Sequence, residues 1–256
     1  MKQIGWFTTG RGPGSLGLFS TVRSMIRSGE IDAKLSFVFM NREVKGNPNR
    51  AKLIAMAEED GVPVIILPSD GFRNDLKGRD LTAWRAAYGK AMRDMISQHP
   101  MDFGVLAGYM LILDPETCEK YDIINLHPAL PNTYQGTWEE IVRRVAESDD
   151  ATYGSMVHVC TPELDRGATV AYDEFGIEDL RKKIVDLDDL AKAIRAREVR
   201  REVPLLMETV KLLSSGEVRL DRGRLMNYRG EPLSGQINLA AKIDLIVGNE
   251  PSSDRV

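Results

Sequence analysis

Short apolar runs alternate with longer amphipathic stretches through the first half of the chain, the pattern of parallel strands joined by helices. IGWFTT (4–9), LSFVFM (35–40), VPVIIL (62–67), DFGVLAG (102–108) and YDIINLH (121–127) have the length and content of buried strands. The glycine-rich GRGPGSLG (10–17) follows the first run, and LFSTVRSMI reads as the helix start after it. Asn47 caps a helix that opens on Pro48, where a missing N–H is harmless, with Leu53, Ile54 and Ala57 inward. Leu81, Trp84, Ala87, Tyr88, Ala91 and Met95 recur at helical spacing and predict an amphipathic helix over 80–98, with Asp80 near its cap. A short helix is expected from Pro115.

In the second half, YGSMVHVC (153–160) alternates like a half-buried strand, and ATVAYDEF (168–175) is its expected partner across TPELDRG. A helical stretch runs from 186 to Leu213, and Pro204 inside it predicts a kink or a fresh helix start. GEVRLDRGRLMNY predicts a small hairpin, and GNEPSSDRV a loose tail. The expected fold is α/β: a Rossmann-like, open, mostly parallel sheet with flanking helices over residues 1–215. A short extension over 216–256, hairpin plus tail, is not an independent domain.

Composition narrows the function. With 256 residues and 43% hydrophobic content the chain can bury a large core. Lys plus Arg number 34 against 38 Asp plus Glu, so the net charge of -4 gives no general attraction to nucleic acid or an anionic membrane. The longest apolar run, 103–113, falls short of the roughly 20 residues of a membrane span, and the N-terminus lacks the apolar stretch of a signal peptide. Two cysteines, Cys118 and Cys160, build neither a disulfide framework nor a paired-ligand zinc site. A soluble cytoplasmic protein acting on small molecules is expected.

Three places have the residues for chemistry. The glycine-rich turn, with GPGSLG (12–17) a literal GxGxxG, would offer backbone N–H groups and a helix N-terminus to an anion. A dinucleotide site also wants an acidic residue about 20 positions on, where Asn41 stands with Glu43 just after. A phosphate-bearing substrate, a nicotinamide dinucleotide and a plain tight turn all remain open at this point. Asn125 and His127 are two apart on a strand, so their side chains share a face just where an open α/β sheet binds its ligands. Asp165, in TPELDRG before Gly167, is an ordinary turn residue unless the fold brings it to His127. His158 shares a strand face with Met156 and Cys160 and reads as a core histidine, while His99, before Pro100, reads as a capping or surface residue. Arg195, Arg197, Arg200 and Arg201 form either a solvated face or a grip for phosphate.

INLHPALP followed by YQG, FGVLAGYMLIL upstream and YGSMVHVCTPELDRGATV downstream resemble, in order and approximate spacing over residues 1–215, the folate-dependent formyltransferases. The phosphoribosylglycinamide formyltransferase branch is the nearest. The resemblance implies 10-formyltetrahydrofolate as donor, a small phosphorylated amine as acceptor, and Asn125, His127 and Asp165 as the catalytic trio, without a metal. It further implies that the pterin lies against Met110, Leu111, Ile112 and Leu113 and against the turn of Pro162, Glu163 and Leu164. The substrate phosphate would then sit on the loop of Gly10, Gly12, Gly14 and Ser15, with Glu198 also facing the substrate. The chain departs from the family pattern by one leucine in HPALP, by Arg11 and Pro13 in the glycine loop, and by REVRREVP where a Glu-His pair precedes a Tyr-Pro. Glycinamide ribonucleotide is therefore the first expected acceptor, another small or sugar-nucleotide amine the second, and water a third, giving hydrolysis. A nucleotide-binding dehydrogenase or regulatory module built on GPGSLG is the competing class. Monomer and homodimer are both compatible with the sequence.

Overall fold

A computed structural model describes residues 1–233 and 235–249, the side chain of Asn249 excepted. Its elements run β1 (Lys2–Thr8), α1 (Pro13–Ser28), β2 (Ala33–Met40), α2 (Pro48–Glu59), β3 (Val64–Ile66), α3 (Asn74–Lys77) and α4 (Leu81–Ile96). Then follow β4 (Phe103–Leu106), α5 (Pro115–Lys120), β5 (Ile123–His127), α6 (Trp138–Glu147), β6 (Thr152–Val159) and β7 (Thr169–Gly176). The rest is α7 (Glu178–Lys183), α8 (Leu187–Ser215), β8 (Val218–Asp221), β9 (Arg224–Asn227), β10 (Ile237–Asn238) and α9 (Ala240–Asn249).

The described residues form two compact units, one of residues 1–125, 159–168 and 210–233, the other of 126–158, 169–209 and 235–249. In the first unit the strands are parallel, with β1 between β4 and β2, β3 beyond β2, and β5 beside β4. This is the open parallel sheet expected. Successive β1 residues bury opposite faces: Trp6 meets Phe19 of α1, ring centroids 6.0 Å apart, while Phe7 joins the cluster that includes Trp84, Tyr88, Met92 and Ile96 of α4. Helices on both faces explain why the strand reads as a continuous apolar run. The order reverses between β1 and β4, which makes the carboxyl ends of these two strands a ligand-binding crevice by construction.

The inner face of α4 is rotated from the expected one. Leu81 and Met95 are 46% and 41% exposed, and the buried apolar side chains are Trp84, Tyr88, Met92 and Ile96, a run of i, i+4 steps, with Gly89 and Arg93 buried beside them. Asp80 caps this helix by accepting from the Ala83 N–H at 2.9 Å. Asn47 likewise caps α2 through Arg50 N.

In the second unit β6 runs antiparallel to β7, and β10 parallel to β7. Its core joins Ile141, Val142 and Val145 of α6 to Tyr153, Phe175, Leu190 and Ile194. The sequence reading missed α6, although Thr137 and Glu140 form a full capping box at its start. No new helix starts at Pro204, because α8 continues through it to Ser215. Only the first two residues of the expected loose tail, Gly248 and Asn249, are described, and they end α9; 250–256 lie outside the described residues. The β8–β9 hairpin forms as expected, turning at Arg222 and Gly223, both at positive φ. Its Gly223 N–H donates to Asp122 Oδ1 at 2.8 Å.

A Cβ on Gly154 would stand 1.9 Å from the carbonyl oxygen of Asp173 on the paired strand. Gly154→Ala is therefore expected to destabilise the protein by about 1–3 kcal/mol, read as a lower urea midpoint.

Candidate active site

In the first unit the glycine loop and the 108–113 segment lie at the carboxyl ends of β1 and β4. The loop after β1 turns at Gly10, whose φ of +60° favours glycine and whose absent Cβ leaves room for Met40 and Arg50. Arg50 braces this loop by donating to the Thr9 carbonyl at 3.0 Å and to Glu43 O at 2.7 Å, and Asn47 Nδ2 donates to Arg11 O. Helix α1 begins at Pro13, earlier than expected, so Gly12 is its N-cap, and Gly14 and Ser15 lie in its first turn rather than in the loop. The proline explains the early start: its fixed φ and missing N–H suit the first helical position. No side chain caps this end, no acidic residue occupies its first turn, and both Gly12 and Gly14 face open space. At the end of β2 the fully buried Asn41 stands where a dinucleotide fold would place its acid.

Thr9 joins this loop to the segment after β4. Its N–H donates to Gly108 O at 3.0 Å, and its hydroxyl accepts the Met110 N–H at 3.0 Å. Gly108, at φ +66°, leaves the space that Ser15 Oγ occupies. Beyond it the side chains alternate. Met110 and Ile112 are exposed, 64% and 40%, while Leu111 and Leu113 pack on the first-unit core. Of the four apolar residues expected against a pterin, two present side chains outward and two do not.

Asn125 pairs with Leu106 across β5 and β4. The connection carrying Asp165 starts beside it, since the Cys160 N–H donates to Ile123 O at 2.7 Å. Pro162, Glu163 and Leu164 are exposed, and Asp165 is half-buried with φ +54°, a conformation Asp tolerates better than most residues. Gly167 is required here, because a Cβ would lie 1.7 Å from Val159 O.

In the second unit His127 ends β5, 3% exposed. Its Nε2 is 3.0 Å from the carbonyl oxygen of Tyr134. A carbonyl only accepts, so Nε2 carries hydrogen, and in the neutral ring Nδ1 is the basic nitrogen. His158 is buried, as expected, its ring perpendicular to that of His127 at 5.9 Å between centroids. Tyr153 OH donates to Pro128 O at 2.6 Å, tying β6 to the turn after His127.

Glu198 is completely buried on α8; Ser155 Oγ donates to it at 2.9 Å and Arg195 at 2.6 Å. Burial, and then the charge of Glu202, raise its carboxyl to about 7. Arg195 also donates to Glu202 at 2.6 Å and lies over the Trp138 ring. Arg197 is bidentate to Asp179, and Arg201 is bidentate to Asp173 and pairs with Asp244. Three of the four clustered arginines are thus engaged by carboxylates, and only Arg200 of the four reads as a solvated surface residue.

Residues 14–200 match the family model described as Formyl transferase. The chain belongs to the formyl transferase family of folate-dependent enzymes. A phosphoribosylglycinamide formyltransferase of Haemophilus influenzae is 27% identical over 242 residues, covering 93% of this chain and 100% of that protein. Among solved structures, a phosphoribosylglycinamide formyltransferase of Coxiella burnetii superposes with a TM-score of 0.68 at 19% identity, over 92% of this chain and 99% of that one. A formyltetrahydrofolate deformylase of Pseudomonas syringae gives 0.66 at 19% identity, over 88% and 65%. At these identities the structural likeness speaks for the fold.

Sequence reading of this formyltransferase overlooked Thr9, Arg50 and Ser155, which hold candidate residues through bonds to backbone or to Glu198. A doublet of threonines before a glycine loop carries no such signal. Glu198 supplies a test of its surroundings. A carboxyl raised in the fold favours its protonated form, so its contribution to stability is present at low pH and lost as pH rises from the ordinary 4.5 through about 7. The wild type is expected to lose more thermal stability than Glu198→Gln between pH 6 and pH 8, measured by parallel melts.

Proposed function

We propose that the chain transfers the formyl group of 10-formyltetrahydrofolate to the primary amine of a small phosphorylated substrate, glycinamide ribonucleotide first. The observation that carries this reading is the match with the Haemophilus influenzae phosphoribosylglycinamide formyltransferase over that protein's whole length. The acceptor's phosphate is assigned to the uncapped first turn of α1 and the loop before it, Gly10, Gly12, Gly14 and Ser15, because a helix N-terminus with free N–H groups favours an anion. The arginines near 200 are less suited, being engaged by Glu198, Glu202, Asp179 and Asp173. The pterin is assigned to the exposed side chains Met110 and Ile112, to the backbone at Leu111 and Leu113, and to the turn of Pro162, Glu163 and Leu164.

The reaction explains why these residue types are used. As the amine attacks, the formyl oxygen gains negative charge, and the Asn125 side-chain N–H stabilises it more in the transition state than in the ground state. The attacking nitrogen must lose a proton and the departing folate nitrogen must gain one, and the imidazole of His127 serves both, directly or through a water. Asp165 orients that imidazole and favours its charged form. Glu198, expected to face the substrate, is completely buried and held by Ser155 and Arg195, so no direct contact with the acceptor is assigned to it.

Purified protein with 10-formyltetrahydrofolate and a panel of phosphorylated amines should release tetrahydrofolate only when an amine is added; release without amine means hydrolysis, and no release with any amine rejects the proposal. His127→Ala is expected to lower transfer by at least about 100-fold with folate affinity nearly unchanged. Near wild-type turnover in that variant would remove His127 from the mechanism.

A further inference from the structure

Arg93 is a buried cation on the inner face of α4, 4% exposed among the core residues Met92 and Ile96. Its Nη1 donates to Asp114 Oδ2 at 2.6 Å and to Thr117 Oγ1 at 2.8 Å, and its Nη2 reaches Glu116. Thr117 Oγ1 in turn donates to the second oxygen of Asp114 at 2.5 Å. The helix is notched to receive this carboxylate: a Cβ on Gly89 would be 1.7 Å from Asp114 Oδ1.

Asp114 occupies the N-cap of α5, a position where an aspartate normally accepts a first-turn N–H, yet its side chain makes no capping bond. The carboxylate is turned to Arg93 instead. Stability alone does not call for that arrangement, since a buried ion pair is often no better than well-packed apolar residues of the same volume. What the pair does supply is a fixed location for one backbone residue, and that residue directly follows Met110–Leu113. The other end of the same segment is tied to Thr9 through Gly108 and Met110.

We infer that Asp114 is a positioning residue for the formyl donor: clamped by Arg93 and Thr117 in the Gly89 notch, it holds the backbone of 110–113 in the course that receives the pterin. The inference rests on the donor assignment above. No bond to substrate is involved; the clamp acts through the chain.

The decisive variant is Arg93→Met combined with Asp114→Ser, which removes both buried charges together and leaves a small polar N-cap on α5. Melting should stay within about 5 °C of the wild type. Amide hydrogen exchange over 109–113 should accelerate at least about 10-fold relative to β1 and β4. The affinity for 5-formyltetrahydrofolate, a non-transferring isomer of the donor, should fall about 10-fold. If the pair variant does not fold, Asp114→Asn, which drops the charge and keeps the shape, is read in the same way. A folded variant with wild-type exchange and affinity overturns the inference while leaving the donor reading intact, and so does faster exchange with unchanged affinity. Failure of the wild type to bind 5-formyltetrahydrofolate rejects the donor reading and the clamp's role in it; the exchange result then shows separately whether the clamp orders 109–113.

Discussion

Thr9 is bonded twice to the connection that leaves β4, through its N–H to Gly108 and its hydroxyl to the Met110 N–H. Because β1 and β4 are the strands between which the sheet reverses its order, this joint lies at the mouth of the fold's natural crevice. It brings the glycine loop, the first turn of α1 and the exposed Met110 and Ile112 into one neighbourhood. Ser15 filling the space left by Gly108 is the packing counterpart of the same joint. Without it, the loop braced by Arg50 and the segment anchored by Asp114 would lose their direct tie to each other.

The buried charges of the molecule follow one logic. Arg93 with Asp114, Arg201 with Asp173, and Arg195 with Glu198 each set a cation from one helix against a carboxylate whose desolvation demands a partner. The first two pairs pin a helix to the segment or strand that carries the partner, while Arg195 and Glu198 both lie on α8. Arg201 fixes α8 to β7, and the Ser155 bond to Glu198 fixes α8 to β6. Specific charge pairing thus sets the place of a helix that apolar contacts alone would allow to slide.

Much of this architecture was legible in the sequence because buried parallel strands are written as short apolar runs, and β1, β2, β4 and β5 all appear near their expected places. The rotation of the α4 face is not legible in the sequence because Leu81 and Met95 fit a helical period as well as Met92 and Ile96 do. The start of α1 was misplaced because glycines inside a first turn look like loop. The arginine cluster could not be resolved from spacing, since the partner of Arg201 is Asp173 on β7 and that of Arg197 is Asp179 on α7. Of the candidate site, the shared strand of Asn125 and His127 was readable from alternation. The turn of Asp165 acquired meaning only through the family's linked motifs, because a lone aspartate in a turn has many ordinary uses.

The polypeptide changes unit after Asn125, after His158, after Ala168, after Thr209 and after Leu233. Neither half is a contiguous cassette. A single cut at any of these five crossings would part a unit from a segment of its own, so neither unit can be lifted out of the chain as one uninterrupted stretch.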